Sequence, residues 1–141
     1  MKFTVESVGG VASRVDIDGH ALIFDQPVAV GGADTGPSPL DVMVASVGAC
    51  AHYFAAAFLR ARKQPVEGLV VVVEAEKATG GTRRLQHLSV RVDLPPGVPD
   101  EMLPRIEQAV RGCPAWGTLV EAPEVSMVVG HAKSDEVRAG S

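Results

Sequence analysis

Apolar and polar positions alternate with a period of two near the start of the chain. Phe3 and Val5 sit among polar neighbours, and Val11, Ser13, Val15 and Ile17 resume the alternation after Gly9-Gly10. Asp18-Gly19 then forms a two-residue hairpin signal before His20–Asp25, so residues 2–25 read as a β-meander. Residues 26–37 (QPVAVGGADTGP) are Gly- and Pro-rich and read as a loop. From Ser38 the pattern changes. Ser38 is an N-cap, Pro39 fits the first helical position and Asp41 completes an S-x-x-D capping box. No charge then appears until Arg60, and a helix so apolar all round is expected to be buried on most faces. Arg60, Arg62 and Lys63 complement the helix dipole, and Pro65 ends the element.

The remaining pattern predicts a second set of elements. Gly68–Lys77 opens as a continuous Val run, which fits a central strand, and turns polar at its end. Leu85–Leu94 alternates, with Leu88, Val90, Val92 and Leu94 on one face. Residues 99–112 form an amphipathic helix carrying Leu103, Ile106 and Val110, with Pro104 tolerable only in its first turn. Cys113-Pro114 starts a short helix through Glu121, and Pro123–Gly130 reads as a last strand. The polar residues 131–141 are expected to fray. There is no internal repeat and no domain boundary, so residues 1–141 are expected to form one α+β domain.

Composition removes several function classes. The chain has 141 residues, 46% hydrophobic and 21% charged, with a net charge of −4. No basic run supplies an electrostatic footprint for nucleic acid, and the scarce aromatics offer no base-stacking platform. The apolar helix is interrupted by Ser46, Gly48 and His52 and has no second span to match it, so it reads as a core helix and no membrane partner is expected. No signal peptide precedes the first strand, and a cytoplasmic location is expected. His20, His52, His87 and His131 are scattered, with no metal-ligand spacing, and no phosphate-binding loop appears.

Chemistry concentrates on the two cysteines. Cys50 lies mid-helix, where apolar burial alone would raise its pKa and leave it inert, so a reactive Cys50 requires a nearby cation. Cys113 lies at the start of a short helix, where partial positive charge favours the thiolate. Both could be small packing residues. They could equally form a redox couple, in which a sulfenic acid on one thiol condenses with the other. His52 is about 200° round the helix from Cys50 and cannot form a dyad with it.

The stretch Pro37-Ser38-Pro39-Leu40-Asp41-Val42, the Pro39-to-Cys50 spacing, and the later Cys113-Pro114 resemble the OsmC/Ohr family of osmotically inducible and organic hydroperoxide resistance proteins. The resemblance covers essentially the whole chain. It implies an OsmC-like fold, with antiparallel sheet wrapped around a long buried central helix in an intertwined homodimer. It also implies thiol-dependent reduction of organic hydroperoxides, with Cys50 peroxidatic, Cys113 resolving, no metal or organic cofactor, and a dithiol reductant such as a protein-bound lipoyl group. The family's catalytic Arg comes from the N-terminal meander, where Arg14 is the only arginine; the strand register that would aim it is open. Tyr53, Phe54 and Trp116 are candidate walls of a substrate site. One departure stands out. The acid that follows the helix-start proline in active relatives is replaced by Leu40, and Asp41 lies roughly 180° from Cys50 on a regular helix. That departure favours a rival reading, a redox-silent member of the fold binding an apolar small molecule at the dimer interface. A thiol hydrolase would need a base that the sequence does not offer.

Overall fold

The computed structural model describes residues 1–131; the expected frayed tail lies, apart from His131, outside them. Three short strands open the chain: β1 (Val5–Gly9), β2 (Ala12–Ile17) and β3 (His20–Phe24), antiparallel in that order. The β2–β3 turn is built as its residues dictate. Asp18 and Gly19 have φ of 52° and 83°, the two positive values a type I′ turn needs, and the Gly19 N–H donates to Asp16 Oδ1 at 3.0 Å. Val15 is buried while Arg14 and Asp16 are exposed, so the odd positions of β2 face inward. The sheet packs chiefly on itself; among the described residues, neither the long helix nor the second sheet lies broadly against it.

The loop that follows is organised by one carboxylate. Asp25 is only 2% exposed. Its Oδ2 accepts from the Thr35 N–H at 3.0 Å, the Thr35 hydroxyl at 2.7 Å and the Ala33 N–H at 3.1 Å, while Oδ1 accepts from the Gln26 N–H at 2.8 Å. These donors, those of Thr35 foremost, favour the ionised form and lower its pKa from 3.8 to about 2. A depressed carboxylate stabilises the fold above its unfolded pKa and ceases to do so as pH falls through the folded value. The loop's contribution should therefore be complete above about pH 4 and lost towards pH 2. Acid unfolding of Asp25→Asn, which cannot ionise, should lack that segment of pH dependence.

α1 (Pro39–Ala61) begins as the capping box prescribes, with Ser38 Oγ accepting from the Asp41 N–H at 3.2 Å. At its other end the Arg62 guanidinium lies 3.6 Å from the Phe58 ring centroid and donates to the Phe58 carbonyl at 3.3 Å. Burial follows one stripe, Val47, Gly48, Ala51, Ala55 and Leu59. The expectation of burial on most faces is thus corrected for a single chain: Met43, Ala49, Tyr53 and Ala57 remain exposed. Periodicity reports that every face is apolar, not that one chain supplies a cover for each.

The stripe packs on a second sheet and on α2. β4 (Val70–Lys77) and β5 (Leu85–Asp93) pair antiparallel, Val71 opposite Val92 and Val73 opposite Val90. Among the described residues β4 has one partner strand, so there it is not the central strand its Val run suggested. α2 (Leu103–Arg111) follows a 3-10 turn at Asp100–Met102, with Pro104 in its first turn. Ile106 and Val110 join Ala51, Ala55, Leu59 and Leu69 in the core. α1 approaches β4 closely because Gly48 has no side chain: a Cβ there would lie 2.7 Å from Val73 Cγ2. Gly48→Val should cost about 1–3 kcal/mol by overpacking, read from urea denaturation.

α3 (Pro114–Val120) completes the regular structure. Among the described residues, the expected strand over 123–130 is not formed. That segment has no strand partner there, and Val125, Met127, Val128 and Val129 are 83–95% exposed. Its residues suit a strand, but a strand needs a neighbouring edge, and the described residues bring none to it.

Candidate functional site

Cys50 and Cys113 come together, joined as a disulfide with their Cα atoms 6.1 Å apart. α1 places Cys50, half-buried, beside the start of α3. The turn after α2 places Cys113, 1% exposed. Its N–H donates to the Val110 carbonyl at 3.0 Å as α2 ends, and its own carbonyl accepts from the Gly117 N–H at 3.0 Å as α3 begins. Pro114 presets the first turn of α3. α3 buries no residue fully, so the sulfur bridge at its N-cap, buried on its Cys113 side, is its firmest attachment to α1. Two sulfurs so placed can cycle between dithiol and disulfide, a two-electron change.

The other candidates fall in different places. Arg14 is about half exposed and lies 3.8 Å from Asp16, on the outward face of β2. The open register is thereby resolved, and among the described residues β2, which carries Arg14, lies broadly against neither α1 nor α3. Tyr53 is 66% exposed and meets Phe54 edge to face, ring centroids 5.4 Å apart. Trp116 lies on α3 one turn past Cys113, with the Arg111 guanidinium 5.3 Å from its ring centroid. It walls a cavity that neither Tyr53 nor Phe54 reaches.

Leu40 and Asp41 open onto a different recess, a groove of about 570 Å³ between α1 and the β4–β5 sheet. Gly48, His52, Val73 and Lys77 also line it. Cys50 lies about 200° round the helix from Gly48, so this groove is not the thiol's pocket. Sequence reasoning weighs His52 only as a dyad partner for Cys50 and does not single out Lys77; the spacing Asp41, Ala45, Gly48, His52 along one helix face is the signal that could find the groove. Among the described residues, no cluster of His, Cys, Asp or Glu could hold a metal ion.

Comparison with known proteins adds to this geometry. The family model for OsmC-like proteins matches residues 31–128. Among solved structures, a Psychrobacter arcticus 273-4 protein described in connection with osmotic stress and a detoxification response superposes with a TM-score of 0.74 at 18% identity, covering 84% of this chain and 87% of that one. An organic hydroperoxide resistance protein OsmC from Legionella pneumophila gives 0.63 at 16% identity, covering 86% and 90%. An OsmC-like protein from Mycoplasma pneumoniae gives 0.67 at 19% identity, covering 86% and 89%. No curated protein sequence matches this chain. These likenesses agree on an α+β fold with antiparallel sheets, and the family match spans both cysteines: the chain belongs to the OsmC-like family.

Proposed function

We propose that this protein is a thiol-dependent peroxidase that reduces organic hydroperoxides. The observation that carries the reading is the pairing of Cys50 with Cys113, the two cysteines of the chain. The Cys50 thiolate attacks the terminal peroxide oxygen, the O–O bond breaks, the alkoxide leaves and takes a proton, and Cys50 becomes a sulfenic acid. The Cys113 sulfur then displaces that hydroxyl as water and forms the disulfide. A dithiol, such as a protein-bound lipoyl group, restores both thiols by exchange and is itself oxidised. Neither a metal nor an organic cofactor enters this cycle.

The thiolate needs a cation, and within one chain β2, which carries Arg14 on its outward face, does not pack broadly on α1. The reading therefore includes a homodimer, in which a second copy covers the exposed Met43–Tyr53 face of α1 and supplies Arg14. Sedimentation equilibrium should give twice the chain mass, and Tyr53→Asp should shift it towards the monomer. The protein acts in the cytoplasm, where reductants can turn the couple over. A second reading is favoured by Leu40 and by Asp41, whose backbone is engaged in the α1 cap: a redox-silent protein that binds an apolar small molecule at the subunit interface.

Fully reduced protein treated with one equivalent of cumene hydroperoxide separates the two. Loss of both thiols with a mass decrease of about 2 Da supports the peroxidase. Two thiols that persist for minutes overturn it in favour of the binding protein.

A further inference from the structure

Between β5, α2 and α3 lies a cavity of about 300 Å³ that neither cysteine lines. That volume is at the lower bound of small-molecule sites, roughly 300 Å³. Val90 and Val92 of β5 form one wall, Ile106 and Val110 of α2 another, and Trp116 the third. The charged groups at its edge are Arg111 and Glu107. Arg111 Nε and Nη2 both donate to Glu107 Oε1, at 3.0 and 2.8 Å, and the guanidinium also stands 5.3 Å from the Trp116 ring centroid. A guanidinium has five N–H donors. Two are engaged, and the other three have no protein partner among the described residues. The Arg111–Glu107 pair is 58% and 64% exposed, so it is weak and readily exchanged for another carboxylate.

We propose that this cavity binds a small amphipathic monocarboxylate, its hydrocarbon chain between β5 and α2 against Trp116 and its carboxylate on Arg111. The occupant follows from the lining. Apolar walls on three sides call for a hydrocarbon body, and a cation with spare donors calls for an acceptor head, for which a carboxylate matches the guanidinium fork. A cationic head would be repelled by Arg111, and an alcohol of the same length would gain the apolar contact alone. The inference does not depend on thiol chemistry.

The test uses the disulfide form of the full chain, titrated with straight-chain monocarboxylates from butanoate to octanoate by calorimetry. The indole N–H resonance of Trp116, the single tryptophan, is followed in parallel. Affinity should rise about two- to fourfold per added methylene, with the indole resonance shifting in a saturable way. Octanol should bind about tenfold more weakly than octanoate. Arg111→Met, which keeps an apolar stem at an exposed position, should erase that difference, and Val92→Phe should fill the cavity and abolish the indole shift with both ligands. An indole resonance unmoved by millimolar octanoate overturns the proposal, as does an undiminished preference for octanoate in Arg111→Met. Because the disulfide form cannot reduce peroxide, failure here leaves the peroxidase reading standing, and failure of that reading leaves this one untouched.

Discussion

Cys50→Ser should consume no organic hydroperoxide above the uncatalysed rate, while Cys113→Ser should consume one equivalent and stop. The asymmetry comes from the roles proposed for the two sulfurs. Without Cys50 there is no nucleophile to take the peroxide oxygen, and the Cys113 thiol, 1% exposed, is closed to solvent-borne peroxide. Without Cys113 the sulfenic acid forms but has no thiol within reach to condense with. A dimedone adduct on Cys50 in Cys113→Ser, absent in the wild type after one equivalent of peroxide, would show the intermediate trapped where the mechanism places it. The reverse pattern, with Cys113 labelled and Cys50 inert, would exchange the two roles. Equal slow labelling of both would remove the mechanism altogether.

Reduction of the disulfide should destabilise the fold by about 4 kcal/mol. The bridge joins residues separated by 63 positions, and closing a loop of that size removes chain entropy from the unfolded state worth about 4 kcal/mol at room temperature in the loop-closure account. The bridge also holds α3, which has no fully buried side chain to anchor it once the sulfurs part. Urea midpoints of the oxidised and reduced protein at equal concentration measure the difference, with m-values checked for a change in the unfolded state. A difference below about 1 kcal/mol would mean that the reduced thiols pack so well in place that the covalent link contributes almost nothing.

Much of the local structure was legible in the sequence because its causes are local. Ser38 with Asp41 set the start of α1, Asp18-Gly19 set the hairpin, and Pro104 and Pro114 fell in first helical turns as their missing N–H groups require. Less legible were the relations between elements. Parity alone could not say whether Arg14 or its odd-numbered neighbours faced inward, and burial of Val15 decides it. The all-apolar α1 and the strand-like 123–130 are patterns that demand a cover or an edge without stating which chain provides it, so α1 is less buried than expected and 123–130 lacks, among the described residues, the strand pairing expected of it. Asp25 gave no periodic signal. Its meaning appears only when Ala33 and Thr35 fold back onto it. The pairing of Cys50 with Cys113 was available only through family resemblance, since spacing carries no information on contact.

The self-contained packing of the β1–β3 sheet has a spectroscopic consequence. The single tryptophan and single tyrosine, Trp116 and Tyr53, both lie outside it, so the first 37 residues contribute no tryptophan or tyrosine fluorescence. An unfolding curve recorded by fluorescence would report on α1 and α3 alone. If the sheet melts as its own unit, far-ultraviolet circular dichroism will trace a second transition that fluorescence misses, and one stability value will not describe the chain. A tryptophan introduced at Leu22, 40% exposed on β3, would make that silent unit visible.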